Sequence, residues 1–402
     1  MIDLEYNQRI INIVKYAYFH SRFYRTLYDE MKININRFKN VFDLPIISSY
    51  DLIHNSLLFK TDELIYKVSV SSGTKNYPKI LFRTEEDFYH SVKNQILLMK
   101  QCNLNKDDII AVIQPFGICG YGELTQYAAK TMGIPIIPIG NIDDYFILDL
   151  LIKLNVTVLD ISPSRLKRLY NIAKNEGKDG LLQVKKIMSS GEKLSHALKK
   201  KFKEEYNLIF YDQYGSEETD ALGYEIDDGI IQILEHDFLI EVVKEDGRYA
   251  KKNEVGSLVI TSLYHKGTPL IRYRLSDEVR IINESPLQVK ILGRGDDYCN
   301  LFDSVKLPAY YIDNIIKKYG IVDWQCHIYE KKDMIEVIMY LDTIENKISK
   351  FNEIVKELSK CNVDINELVN LGYLKFIVLN DKEKILIKNN RKTLRFIDMR
   401  KK

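Results

Sequence analysis

"VKKIMSSGEKLSHALKKKFKEEYNLIFYDQYGSEE", Val184–Glu218, holds one complete strand–helix–strand unit. "VKKIMSS" is a short apolar strand that ends on serines and a glycine, the composition of a turn. "SHALKKKFKEEY" reads as a helix with Ser195 as its N-cap, because a serine hydroxyl there accepts from an orphan N–H of the first turn. "NLIFYDQYG" is a second short apolar strand. Two such strands joined by a helix make a right-handed βαβ unit, from which parallel sheets are built.

Working outward, the alternation continues. "DIIAVIQ", "IPIIPIG" and "VTVLDIS" read as strands. "EEDFYHSVKNQILLMKQ", "GELTQYAAKTM", "DDYFILDLLIKL" and "SPSRLKRLYNIA" read as helices. The fold class is therefore α/β, with a large N-terminal parallel sheet. Upstream, residues 5 to 30 place Ile10, Ile13, Val14, Ala17 and Tyr18 at helical spacing and read as one amphipathic helix. From Gly229 the character changes. "GIIQILE", "FLIEVVKEDGRY", "GSLVITSLY", "PLIRYRLSDEVRII" and "LQVKILGRG" are strands without helices between them, which predicts antiparallel pairing in a small barrel or an added sheet. "GRGDDYCN" has the composition of a linker, and the rest is a small α+β unit. The expected domains are residues 1–295 and 296–402.

Bulk properties narrow the function. In 402 residues, 46% are apolar and 28% charged, with a formal net charge of +2. That near balance gives no push towards nucleic acid or an anionic membrane. No apolar run approaches the ~18 residues of a membrane span. The start, "MIDLEYNQRIINIV", has an early acid and no continuous apolar core, unlike a signal peptide. Cys102, Cys119, Cys299, Cys326 and Cys361 are scattered, with no C-x-x-C pair, and read as buried free thiols in a reducing, cytoplasmic compartment.

"VSVSSGTKNYPKILFR", Val68–Arg83, sets small residues, hydroxyls and lysines between strand-like flanks. Phosphate binding needs small residues for close N–H approach, hydroxyl donors and a cation. Ser71, Ser72, Gly73, Thr74 and Lys79 supply all three; a plain hairpin turn is the competing reading. "SSGEKL", "YDQYGSEE", "GSLVITSLYHKGTPLIRYRLSD", "GRGDD" and "NRKTLRFID" follow in that order. This succession resembles the adenylate-forming (AMP-binding) enzymes, and within them the phenylacetate–CoA ligase family, over nearly the whole chain. "HSRFYRTLYDE", "DLPIISSYDL" and "GYGELTQYAAKTMGIPIIPIG" are similar as well.

The resemblance implies an ATP-dependent ligase that converts a carboxylic acid to an acyl-adenylate with release of pyrophosphate, then passes the acyl group to a thiol. ATP and Mg²⁺ are the implied cofactors. It implies that the Ser71–Lys79 loop covers the β- and γ-phosphates, with Thr74 and Glu218 as magnesium ligands. Tyr214, Gly215 and Ser216 would hold adenine and phosphate, with Ser190, Gly191 and Glu192 lining the adenine and acyl pocket. Asp277 would bind the ribose, Arg294 the ribose or phosphates, Asp296 would be the hinge, and Lys392 the mobile lysine over the α-phosphate. Glu217 reads as a neighbour, and Arg272 and Arg274 as strand braces. At the ligand end of the sheet, Phe116, Tyr121 and Tyr211 are candidate walls of a flat apolar acyl pocket, suited to an aromatic or short hydrophobic acid.

The chain departs from the family pattern in three places. Lys75 and Asn76 replace Thr-Gly in the loop, and Ser276 replaces the glycine before Asp277. Phe302 and Asp303 stand where an Arg-Gly pair lines the thiol tunnel. Glycine admits a thin pantetheine arm, whereas aspartate adds bulk and charge. The acceptor therefore stays open between CoA, a phosphopantetheine-bearing carrier protein and an amine. A non-catalytic nucleotide-binding relative is the reading from another class.

Overall fold

A computed structural model describes residues 4–71, 78–118, 120–192, 194, 196–227, 229–294, 298–301, 305–331, 334–343, 348–360, 363–385, 387–388, 392–393 and 395–400. The start of the chain is two helices, α1 (Leu4–His20) and α2 (Arg22–Glu30), where one was expected. The break falls at Ser21, which is extended (φ −110°, ψ 125°). Its buried hydroxyl donates to the Leu58 carbonyl at 3.1 Å, so a tertiary contact overrides the helical periodicity. Helix α3 (Ser49–Phe59) follows, started by a reciprocal capping box between Ser48 and Asp51.

Strands β1 (Lys67–Val70) and β2 (Ile80–Arg83) form an antiparallel hairpin with Val70 opposite Ile80. Then come α4 (Glu85–Gln101), β3 (Ile110–Val112), α5 (Tyr121–Met132), β4 (Ile136–Pro138), α6 (Asp144–Lys153), β5 (Val158–Ile161), α7 (Pro163–Asn175), β6 (Lys186–Ser189), α8 (His196–Tyr206) and β7 (Ile209–Ser216). A second capping box, Thr84 with Asp87, fixes the start of α4. Gly133 closes α5 in the left-handed conformation (φ 69°), which suits a residue without Cβ. The antiparallel strands are β8 (Asp220–Asp227), β9 (Ile230–Ile233), β10 (Phe238–Val243), β11 (Val255–Ser262), β12 (Tyr273–Glu284) and β13 (Leu287–Arg294).

All but the hairpin join one 11-stranded sheet, in the order β10-β11-β12-β13-β9-β8-β7-β6-β5-β3-β4. The antiparallel strands thus take the second of the two expected forms, an addition to the parallel sheet. Strand β7 is the junction. Its first half pairs parallel with β6 (Ile209 with Lys186, Asp212 with Ser189). Its second half pairs antiparallel with β8 (Gln213 with Tyr224), with a bulge between Tyr214 and Gly215. One apolar cluster seats α1, α2 and α3 on the antiparallel strands, and another seats α4 and α5 on the parallel ones.

The chain forms two compact units. One comprises residues 1–162, 169–191 and 209–291; the other comprises 163–168, 192–208 and 292–402. In the second, a four-stranded sheet runs β18-β17-β16-β21, where β16 is Ile321–Lys331, β17 Met334–Thr343, β18 Leu374–Asn380 and β21 Phe396–Asp398. Short strands β14 (Tyr298–Asn300) and β15 (Lys306–Pro308) pair with each other, as do β19 (Ile387–Lys388) and β20 (Lys392–Thr393). Helices α9 (Ala309–Ile316), α10 (Ile348–Leu358) and α11 (Val363–Asn370) complete the unit, whose core centres on Trp324. Cys102, Cys299 and Cys326 are buried free thiols, and Cys119 and Cys361 lie outside the described residues. Among the described residues, no helix is long and apolar enough to cross a membrane.

Candidate active site

The glycine- and serine-rich loop is both a hairpin and a candidate cradle. Below its tip the Ser71 N–H donates to the Lys79 carbonyl at 3.0 Å, and the Lys79 N–H donates to Ser71 Oγ at 3.0 Å. These two bonds pin the base of the loop. Ser72, Gly73 and Thr74 lie outside the described residues, as does Asp296. The side chains of Arg294 and Lys392 likewise lie outside what is described, although Lys392 begins β20.

From the pinned base, Lys79 Nζ reaches Glu218 Oε1 at 2.5 Å, and the Tyr273 hydroxyl donates to the same oxygen at 2.9 Å. Glu218 is buried, which alone would raise its carboxyl. The Lys79 charge and hydrogen bond, helped by Tyr273, hold it below the usual 4.5 instead. The next layer down is Arg83, buried on β2. It donates to the carbonyls of Glu217 and Glu218 at 2.9 and 3.0 Å and lies 3.5 Å from Asp220. Burial would raise Asp220 too, but the Arg83 charge, with His265 and Ser91, brings it down to about 2. Burial pushes Glu217 up to about 7, with the Asp220 charge acting in the same direction and Arg83 opposing. Sequence reasoning gave Arg83, Asp220 and Tyr273 no role. The available signal was Arg83 itself, a charged residue in an otherwise apolar strand end, "ILFR".

The bulged half of β7 brings further predicted residues together. Tyr214 donates its hydroxyl to Asp277 Oδ2 at 2.9 Å across 63 positions of sequence. Gly215 is required by close approach, since a Cβ there would sit 1.9 Å from the Asp220 carbonyl oxygen. Ser216 is tied to Thr219 through its N–H (3.1 Å) and its hydroxyl (3.2 Å). Arg272 braces, as expected. Its guanidinium grips Glu241 through Nε (3.0 Å) and Nη2 (2.7 Å) and donates to the carbonyls of Phe42 and Leu44. Arg274 is exposed on β12.

After β6, the Ser190 hydroxyl accepts from Gln114 Nε2 at 3.0 Å and Gly191 takes φ +79°. Glu192 accepts from the Ser164 hydroxyl at 2.8 Å. Of the three pocket candidates, Phe116 and Tyr211 pack on the apolar cluster beneath α4 and α5. Tyr121 stands among polar groups instead, donating to Gln213 Oε1.

Gln114, Ser190 and Gly191 follow the carboxyl ends of the parallel strands β3 and β6, which is where open α/β sheets bind ligands. Among the described residues, no group of three or more His, Cys, Asp or Glu side chains converges on one point. Magnesium favours few protein ligands beside phosphate, and Glu218 is a buried carboxylate that could serve as one of them.

Comparison with known proteins bears on the family and the fold. The chain is 24% identical to phenylacetate-coenzyme A ligase of Escherichia coli (strain K12) over 328 residues, covering 77% of this chain and 75% of that one. It is 22% identical to the enzyme of the same description from Pseudomonas putida over 347 residues, 82% of this chain and 79% of that one. In fold it is similar to 2-hydroxyisobutyryl-CoA ligase in the postadenylation state in complex with 2-HIB-AMP. The TM-score is 0.78 at 18% identity, over 100% of this chain and 91% of the other. A family model described as AMP-binding enzyme matches residues 60–264, about half of the sequence and the part that holds the hairpin, Glu218 and Tyr214, and the chain belongs to that family.

Proposed function

We propose that this protein activates a carboxylic acid by joining it to AMP and then transfers the acyl group to a thiol, with CoA the first candidate. The observation that carries this reading is the meeting, 139 positions apart in sequence, of the loop-base lysine with a buried carboxylate, Lys79 on Glu218. Beside it stands the Tyr214–Asp277 pair, suited to adenine and to a ribose diol respectively.

In the first step a carboxylate oxygen attacks the α-phosphorus of ATP, the bond to the bridging oxygen breaks, and pyrophosphate leaves. Ser71, Ser72, Gly73, Thr74 and Lys79 hold the leaving phosphates through N–H groups, hydroxyls and charge. Ser190, Gly191, Glu192 and Ser216 border the adenine and acyl site. Magnesium bound to Glu218 and Thr74 would supply charge neutralisation of the phosphates. Lys392 offsets negative charge gathering at the α-phosphate, which is where a preorganised cation lowers a barrier most. In the second step a thiolate attacks the acyl carbon and AMP departs. Residues 1–295 act as the adenylation domain, and residues 296–402 turn about Asp296 between the steps, with Arg294 beside the pivot.

Acid-dependent exchange of labelled pyrophosphate into ATP tests the proposal. Exchange that requires an added acid supports it, whereas folded protein that exchanges nothing across a broad acid panel refutes it.

A further inference from the structure

The parallel strands carry a second layer of side chains just past the apolar one. Residues two apart on a strand share a face. Val112, Val158 and Met188 lie in one apolar cluster beneath α4 and α5, with Tyr211 packed against it. Two positions further along come Gln114, Asp160, Ser190 and Gln213. All four are buried, at 5%, 0%, 7% and 8% exposure. Gln114 and Ser190 follow the ends of β3 and β6, Asp160 lies on β5 opposite Val112 and Met188, and Gln213 lies on β7, so polar side chains gather towards the end where ligands bind.

The covering helices answer in kind. Thr125 on α5 donates to Asp160 Oδ2 at 2.7 Å, and Gln95 on α4 donates to Gln213 Oε1 at 3.1 Å. The Tyr121 hydroxyl donates to that same Gln213 oxygen. Gln213 Nε2, the other half of the amide, is buried and makes no hydrogen bond. A buried amide N–H left unpaired loses its hydration without compensation, so a fold has no reason of its own to keep one. Burial pushes the Asp160 carboxyl up to about 7, so near neutrality it is partly protonated and able to donate as well as accept.

We propose that this layer is the floor of the acyl site, and that the activated acid carries a hydroxyl or carbonyl oxygen, away from its carboxylate, that accepts from Gln213 Nε2. Phe116 and Tyr211 give the same site an apolar flank, so the acid presents hydrocarbon on one side and a hydrogen-bonding group on the other. The inference rests on the adenylation reading and narrows its substrate class. A site built to pair a polar substituent rejects the analogue lacking it by up to about 10⁴-fold or more in kcat/KM.

The test is pyrophosphate exchange with acids in matched pairs that differ by one oxygen: phenylacetate against the hydroxyphenylacetates, benzoate against the hydroxybenzoates, isobutyrate against 3-hydroxyisobutyrate. In at least one pair the polar member should win by about 100-fold or more in kcat/KM. Gln213→Met should cut that ratio by about tenfold or more, and Gln95→Met, which frees the same amide, should also lower it, in variants shown by circular dichroism to be folded. A ratio near one in every pair overturns the inference, because a layer serving only the carboxylate treats both members alike. A wild-type ratio kept by both folded variants also overturns it. Absence of exchange with every acid is a different result, which refutes adenylation itself and this inference with it.

Discussion

Replacing Lys79 with methionine keeps the length of the side chain and removes its charge, so Glu218 is left buried without its cation. The pair is well enclosed, with side-chain exposures of 14% for Lys79 and 6% for Glu218. Breaking such a pair on one side costs about 3–5 kcal/mol, since the surviving charge stays desolvated. In a unit of this size that lowers the melting temperature by about 6–20 °C. The pH dependence is the sharper test. In the wild type Glu218 titrates below 4.5, so its contribution is present above that pH and lost as pH falls through the lower, folded value. Without Lys79, burial dominates and lifts the carboxyl above 4.5. The folded state then binds more protons than the unfolded one, and stability drops as pH rises through that window. The gap between wild type and Lys79→Met should therefore widen from pH 4 to pH 8. Thermal melts followed by circular dichroism across that range measure it, and adding Glu218→Gln to the variant should flatten the pH dependence of the gap. A gap that stays constant with pH would refute the reasoning, as would a Lys79→Met protein that melts with the wild type throughout.

Other outcomes follow from the same structure. Tyr214→Phe loses the bond to Asp277 and should raise the KM for ATP by roughly three- to tenfold, measured by exchange at saturating acid. Arg272→Met leaves Glu241 buried without its bidentate partner and should cost about 3–5 kcal/mol in urea unfolding monitored at equilibrium. Glu217, lifted to about 7, binds its proton more tightly folded than unfolded, so it draws stability down as pH climbs from 4.5 to about 7; Glu217→Gln should remove that decline from the melting profile. Lys392→Ala should slow adenylation by about 10²–10³-fold in a stopped assay of pyrophosphate release while leaving the melting temperature near that of the wild type.

Some of this was readable from residues near one another in the chain. The helix Glu85–Gln101 starts at a local capping box, and "EEDFYHSVKNQILLMKQ" marks it to the residue. The central parallel strands β3, β5 and β6 are buried almost throughout, so each appears as a short, mainly apolar run between helices. The break at Ser21 was hidden because it depends on Leu58, 37 positions away. Lys79, Glu218, Tyr214 and Asp277 could be marked from motifs, and the structure pairs them. Arg83 with the Glu217 and Glu218 carbonyls, and Tyr273 with Glu218, are non-local contacts that no short motif carries. The polar layer escaped for a related reason. Each polar residue is unremarkable alone, and only the fold brings Gln114 to Ser190, Thr125 to Asp160, and Gln95 and Tyr121 to Gln213.

The central claim is that a carboxylate oxygen becomes bonded to the α-phosphorus of ATP. Incubating the enzyme with ATP, an acceptor thiol and an accepted acid labelled with ¹⁸O in its carboxylate tests this directly by mass spectrometry of the products. The account predicts one labelled oxygen in AMP and none in pyrophosphate. Label appearing in inorganic phosphate, with ADP as the nucleotide product, would place the attack at the γ-phosphorus and contradict it.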